Sequence, residues 1–206
     1  MSRKKPLVGV TGMIGSGKST FSRMLGELGA AVFDADAAAR KAAQDPQVLA
    51  EIRRVFGPDV LTAAGRLDRG AMADRVFSRP GELQKLNRII HPWVRGRMWR
   101  FVAEAEKDPS VPMIVVDAPL IFETDLHQHL DVVVVVAADE ETCIQRTMKR
   151  SRLPRRKIIE RMRSQMPLEE KMHRADFVVD NGGDLQHLKK QAKEVFERIL
   201  RDFRKK

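Results

Sequence analysis

Leu7-Val8-Gly9-Val10-Thr11-Gly12-Met13-Ile14-Gly15-Ser16-Gly17-Lys18-Ser19-Thr20 is the stretch on which the fold of this chain turns. Its first five residues read as a buried strand, and beyond it Phe21, Met24, Leu25 and Leu28 recur at helical spacing, which predicts strand, glycine loop and helix in succession. Between strand and helix, Gly12-x4-Gly17-Lys18-Ser19 matches the phosphate-binding pattern G-x4-G-K-[ST] at every fixed position. The glycines let backbone amides turn inward on phosphate oxygens, and the helix adds its positive amino end. Gly12, Gly15, Ser16, Gly17, Lys18, Ser19 and Thr20 are therefore expected to hold the phosphates of ATP, with Lys18 reaching the β and γ groups and Ser19 ligating Mg2+.

Working outward, Gly29 sits where a helix C-cap belongs, and Ala31-Val32-Phe33 predicts a second strand, a parallel partner of the first, ending at Asp34-Ala35-Asp36. From about 37 to 108 the pattern is helical, with Asp45-Pro46, Ser78-Arg79-Pro80 and His91-Pro92 each reading as a helix start. Residues 113–117 and 132–137 are continuous β-branched runs, as in strands covered on both faces of a parallel sheet. Basic helices are expected over 139–163 with a break at Leu153-Pro154, then a fifth strand over 177–179 and a final amphipathic helix. Strands alternating with helices predict an α/β fold, a doubly wound five-stranded parallel sheet with ligands beyond the carboxyl ends of its strands. The expected division is a nucleotide-binding core of residues 1–36, 112–140 and 164–206, a helical insertion over 37–111, and a helical lid over 141–163.

Composition narrows the function classes. The 206 residues suit one substantial core, and the longest apolar run, 132–138, is far short of the ~20 residues a membrane-spanning helix needs. Arg3, Lys4 and Lys5 lead into a strand and glycines, unlike the apolar region of a secretion signal. One cysteine cannot form an internal disulfide and the five histidines lack metal-binding spacing, so a reducing cytoplasm is expected. The net charge of +10 would suggest a nucleic-acid partner, but its distribution is local. Residues 143–163 hold nine basic side chains against one acid, and 185–206 hold eight against three, leaving the remainder slightly acidic. A local anion site explains this better than a polyanion footprint, and the basic block has no aromatic platform for bases.

The loop alone does not choose among nucleotide enzymes. A guanine-specific N-K-x-D is impossible, because Asn87 precedes Arg88 and Asn181 precedes Gly182. Asp139-Glu140 after the fourth apolar run imitates an ATPase strand end, yet reads better as a helix cap and acidic first turn. Asp34 and Asp36 follow the second strand, where an acceptor would approach the γ phosphate, and transfer to an alcohol needs a carboxylate there to take the hydroxyl proton. Asp36 is expected to be that group, with Asp34 supporting or facing metal; helix capping is the alternative for either. Arg146 and Arg150 share a helix face, near Arg152, Arg155 and Arg156, and are expected to close over the transferring phosphoryl group.

These residues, with others in order along the chain, resemble the dephospho-CoA kinase family. The resemblance rests on Gly9 to Ser19, Asp34-Ala35-Asp36, Leu67-Asp68-Arg69, Leu86-Asn87 leading to His91-Pro92, and Asp117-Ala118-Pro119-Leu120-Ile121-Phe122-Glu123. Arg146, Arg150, Ser164-Gln165-Met166, and Ala175-Asp176 to Asn181-Gly182-Gly183 complete it. It implies a P-loop kinase core with a helical CoA-binding insertion and a lid, transferring the γ-phosphoryl of ATP to the ribose 3′-hydroxyl of dephospho-CoA. It further implies Asn181 on the nucleotide side, and Asp34, Asp36, His91, Asp117, Pro119 and Glu123 on the substrate side. Read without the resemblance, His91 is a capping or packing histidine and Cys143 a buried thiol. The alternatives are a kinase for a nucleoside monophosphate or shikimate, and a basic, nucleotide-switched nucleic-acid-binding protein.

Overall fold

Every residue of β1 (Leu7–Thr11) is buried, as an apolar run paired on both edges and covered on both faces requires. The computed structural model describes residues 4–79, 81–151 and 153–205, so Arg3, Pro80 and Arg152 lie outside the described residues. Among these, β1, β2 (Ala31–Asp34), β3 (Ile114–Asp117), β4 (Val132–Ala137) and β5 (Phe177–Asp180) form one parallel sheet in the order β2-β3-β1-β4-β5. The second strand is thus parallel to the first but is not its neighbour. Burial gives the reason: all four residues of β3 are buried and take the inner place, whereas the half-exposed β2 tolerates the edge.

The register brings the carboxyl ends of the first three strands level, with Val10 opposite Asp117 and Asp117 opposite Asp34. At the other end, aspartates fix where strands begin. Asp131 accepts the Leu7 N–H at 2.8 Å and Asp176 accepts the Val133 N–H at 2.7 Å.

The chain divides into two compact units, one running to Asp34 and resuming at Phe101, the other Ala35–Arg100. In the first, α1 (Lys18–Glu27) and the long terminal α9 (Leu185–Phe203) bury Phe21, Met24, Leu25, Leu188, Ala192, Phe196 and Ile199 against Val8, Val10, Val134, Val136 and Val179 of the sheet. Between β4 and β5 lie α6 (Glu140–Ser151), α7 (Arg155–Arg163) and α8 (Leu168–His173). Asp139 caps α6 by accepting the Thr142 N–H at 2.8 Å, which is the cap expected of it. Cys143 is buried, and burial pushes its thiol pKa up to about 11. No helix among the described residues is long and apolar enough to cross a membrane.

The second unit holds α2 (Ala35–Ala42), α3 (Pro46–Phe56), α4 (Arg69–Ser78) and most of α5 (Glu82–Lys107). Asp45 and Asp68 cap α3 and α4, and Asp45 also accepts the Trp93 indole N–H at 3.1 Å. His91-Pro92 does not start a helix: Pro92 lies inside the continuous α5. Proline removes one ladder hydrogen bond, but Ile89, Ile90 and Trp93 around it pack on a core of Val48, Ile52, Phe56, Val60, Met72 and Val76. That burial and the Trp93–Asp45 bond hold the helix through the gap. Ile52 has no solvent exposure, so Ile52→Ala is expected to lower the unfolding free energy of this unit by about 2–5 kcal/mol. Denaturant titration followed by the fluorescence of Trp93 and Trp99, the only two tryptophans and both in this unit, reads the loss.

Candidate active site

The glycine loop lies between β1 and α1 at the level of the strand ends. Gly17 is the N-cap of α1, has φ +93°, and makes no side-chain capping hydrogen bond, so the positive end of the helix is left for an anion. A Cβ on Gly17 would overlap the Asn181 amide nitrogen, and one on Gly15, at φ +85°, would overlap the Cys143 carbonyl oxygen of α6. Both positions therefore demand glycine for space and for backbone conformation.

Lys18 and Asp117 form the central charge pair, with Nζ 3.1 Å from Oδ1 and both side chains nearly buried. Burial raises the Asp117 carboxyl above its ordinary range and the neighbouring Asp34 pushes the same way, while the Lys18 ammonium and a hydrogen bond from Ser19 oppose them. One lysine, one hydroxyl and two carboxylates thus lie together at the strand ends, next to the glycine loop.

The Ser16 hydroxyl oxygen in the loop and Nη1 of Arg146 on α6 are buried and have no hydrogen-bond partner. Buried orphans of this kind are rare in a completed interior. The oxygens of a triphosphate supply acceptors for both, so the residues present fit ATP. Among the described residues no group of three or more His, Cys, Asp or Glu could cage a metal by itself. The donors available are the Ser19 hydroxyl and the adjacent carboxylate, which fit Mg2+ held largely by phosphate and water.

The remaining expected site residues separate into several environments. Thr20 bonds back to Gly17 through its N–H at 2.9 Å and belongs to the first turn of α1. Asn181 donates from Nδ2 to the Ser16 carbonyl at 2.7 Å, and its own N–H donates to Ala137, so it clamps the loop to the sheet. The Pro119 carbonyl accepts from Thr11 and Lys171, and Glu123 accepts the Met166 N–H at 2.8 Å. Arg150 is exposed, one turn beyond the half-buried Arg146. Arg155 is engaged bidentately by Glu141, at 2.8 and 2.7 Å, and Arg156 pairs with Glu160 at 3.0 Å. Arg146 and Arg155 line an open groove of about 680 Å3 with Glu141, Gln145, Met148 and Lys149. In the second unit, Asp36 lies in the first turn of α2, two residues after Asp34. His91 is half-buried on α5, where burial holds its pKa below the ordinary histidine value.

Two residues at the loop are not singled out by residue-type reasoning. Gln165 accepts the Ile14 N–H of the loop at 3.0 Å, and the buried Thr147 hydroxyl sits beside Gly15. A lone glutamine or threonine carries no chemical signature, and Gln165 was visible only as part of a family pattern. Gly17→Ala is expected to reduce ATP affinity by at least about tenfold while preserving the circular dichroism spectrum, because strain and overlap are confined to the loop. Equilibrium binding of a fluorescent ATP analogue measures it.

Comparison with known proteins places these features in a family context. The model of the family described as dephospho-CoA kinase matches residues 6–187. A Deinococcus radiodurans dephospho-CoA kinase is 44% identical over 89% of this chain and 87% of its own length. A solved Thermus thermophilus protein is 38% identical with a TM-score of 0.79, covering 95% of this chain and 98% of that one. Dephospho-CoA kinase from Campylobacter jejuni is 26% identical with a TM-score of 0.62, covering 95% of this chain and 97% of its own.

Proposed function

From the premise that this chain belongs to the dephospho-CoA kinase family, we propose that it transfers the γ-phosphoryl group of ATP to the 3′-hydroxyl of dephospho-CoA, giving coenzyme A and ADP. The observation that carries this reading is the meeting of Lys18 with the carboxylates Asp117 and Asp34 at the level of the strand ends, with Asp36 two residues beyond Asp34.

The proposed roles follow from charge and reach. Loop amides and Lys18 hold the β and γ phosphates, and Ser19 and Asp117 face the cation. Mg2+ held there by Ser19 and Asp117 would neutralise phosphate charge. Asp36 accepts the proton of the 3′-hydroxyl as its oxygen bonds to the γ phosphorus and the bond to the ADP oxygen breaks. Asp34 supports the cation side, and Asn181 maintains the loop. Arg146, whose buried Nη1 lacks a partner, reaches the transferring group, with Arg150 beside it. Residues 141–163 act as the lid, 37–111 as the CoA-binding insertion with His91 on its substrate side, and 1–36, 112–140 and 164–206 as the nucleotide core. Pro119 and Glu123 shape the substrate side through the turn after β3. A reducing cytoplasm suits the single thiol. Nucleic acid is not a partner in this reading, in which the basic block serves a local anion site.

Incubation with Mg-ATP and a panel of acceptors, with products identified by mass, tests the reading: coenzyme A is expected from dephospho-CoA. Turnover of adenosine monophosphate or shikimate in its place would overturn it. Asp36→Asn is expected to lower kcat by about 10²-fold or more with a smaller change in ATP affinity; a nearly silent Asp36→Asn with a damaging Asp34→Asn would exchange the two roles. Arg146→Ala is expected to lower kcat by about 10²–10³-fold, as for removal of one fixed donor to a developing anion. Arg155→Ala and Arg156→Ala should change it by less than about threefold, because exposed ion pairs contribute little. Steady-state kinetics on the set compares them.

A further inference from the structure

Lys171 on α8 has no solvent exposure. Its helix is short and charged, with Glu169 and Glu170 in the first turn. Burying an ammonium is unfavourable even after relaxation, and an apolar side chain of similar length would fill the space without that penalty. The group is held by two acceptors from one turn: the Pro119 carbonyl at 2.7 Å and Glu123 Oε1 at 2.8 Å. Burial pulls its pKa below the ordinary lysine range against the opposing pull of Glu123, and Lys18 lies close enough for the two ammonium groups to repel.

The Pro119 carbonyl also accepts the Thr11 hydroxyl at 3.2 Å. One oxygen therefore joins α8, the turn after β3, and the last residue of β1, which is followed directly by Gly12. Two residues upstream of Pro119 is Asp117, the partner of Lys18, and between them the Ala118 N–H donates to Val10 at 3.0 Å. The other acceptor, Glu123, takes the Met166 N–H, and Met166 adjoins Gln165, which holds the loop at Ile14. Both acceptors of Lys171 thus lead within two residues to a group in contact with the phosphate loop.

We propose that Lys171 is a positioning residue for phosphoryl transfer: by fixing the Pro119 carbonyl and the Glu123 carboxylate from the interior, it sets the turn that keeps Asp117 opposite Lys18. It touches no reactant, and its effect reaches the chemistry through Asp117. The kinetic consequence rests on the kinase reading; the structural consequence does not.

The test joins kinetics with Mg-ATP and dephospho-CoA to hydrogen exchange of the whole protein. Lys171→Met is expected to lower kcat by about 10²-fold, the scale of an ångström-sized misplacement, with the KM for ATP changed by less than about threefold. Amide exchange across 118–124 is expected to quicken by at least about tenfold while exchange across β4 stays as in the wild type. A merely structural lysine would loosen β4 together with the turn, and that result overturns the proposal. So does a kcat within about threefold of wild type, or unchanged exchange across 118–124. A wild-type protein without activity on dephospho-CoA sinks the substrate reading alone, and the exchange measurement still decides the role of Lys171. Should Lys171→Met not fold, Thr11→Val removes the other donor from Pro119, and Lys171→Gln keeps an N–H donor while losing the charge. Both are expected to quicken exchange across 118–124 and to lower kcat less than Lys171→Met would; no effect in either overturns the proposal.

Discussion

The ion pair between Lys18 and Asp117 is the constraint around which the first unit is arranged. It joins the start of α1 to the end of β3 in a place where neither charge is well hydrated. Such a pair contributes little net stability, because desolvation offsets most of the attraction, and burial pushes the Asp117 carboxyl upward despite the lysine beside it. What it supplies is placement. An ammonium left alone at the helix start would swing toward water; held by Asp117, it waits at the depth where phosphate oxygens arrive. The level register of β1, β2 and β3 and the small residues of the loop all serve that depth.

The sequence carried the strands and the loop with little ambiguity because both are written in local terms. An apolar β-branched run such as 132–137 has few other foldings, and Gly15 and Gly17 do occupy positive-φ positions where a side chain would collide. Strand order was not local: β2 follows β1 through one helix, and only the greater burial of β3 decides which of them stands inside. Pro92 misled for a related reason, since a proline signals a helix start only when its neighbours are not already fixed by a core. Among site residues, Lys18 and Ser19 were legible from spacing. The functions of Gln165 and Lys171 depend on partners more than 40 residues away in sequence, at Ile14, Pro119 and Glu123, and no pattern of residue types announces that.

The basic block shows how charge counted along a chain differs from charge available in space. Arg155 and Arg156 contribute to a run that looks uncompensated, yet each finds a carboxylate, one of them on the preceding helix. The Arg155–Glu141 contact joins α6 to α7 across the break at Leu153-Pro154, so it works as a clasp between helices. Arg146, in the middle of the same run, retains a buried nitrogen without a partner. Within one stretch of sequence, some arginines are paired with carboxylates and another keeps a buried nitrogen unpaired.

Asn181 is followed by glycine, the sequence most prone to spontaneous loss of the side-chain amide, because the next backbone nitrogen can attack the carboxamide unhindered. Here that nitrogen, on Gly182, is occupied by Asp180 at 2.8 Å, while the Asn181 amide is fastened to Ser16. The native packing therefore shelters a chemically fragile bond. Loss of the amide would replace a donor by a carboxylate facing the Ser16 carbonyl, turning an attraction that steadies the phosphate loop into a repulsion. Each episode of local opening at this corner exposes the molecule to irreversible ageing, so the working lifetime of the protein is tied to how firmly one asparagine is held.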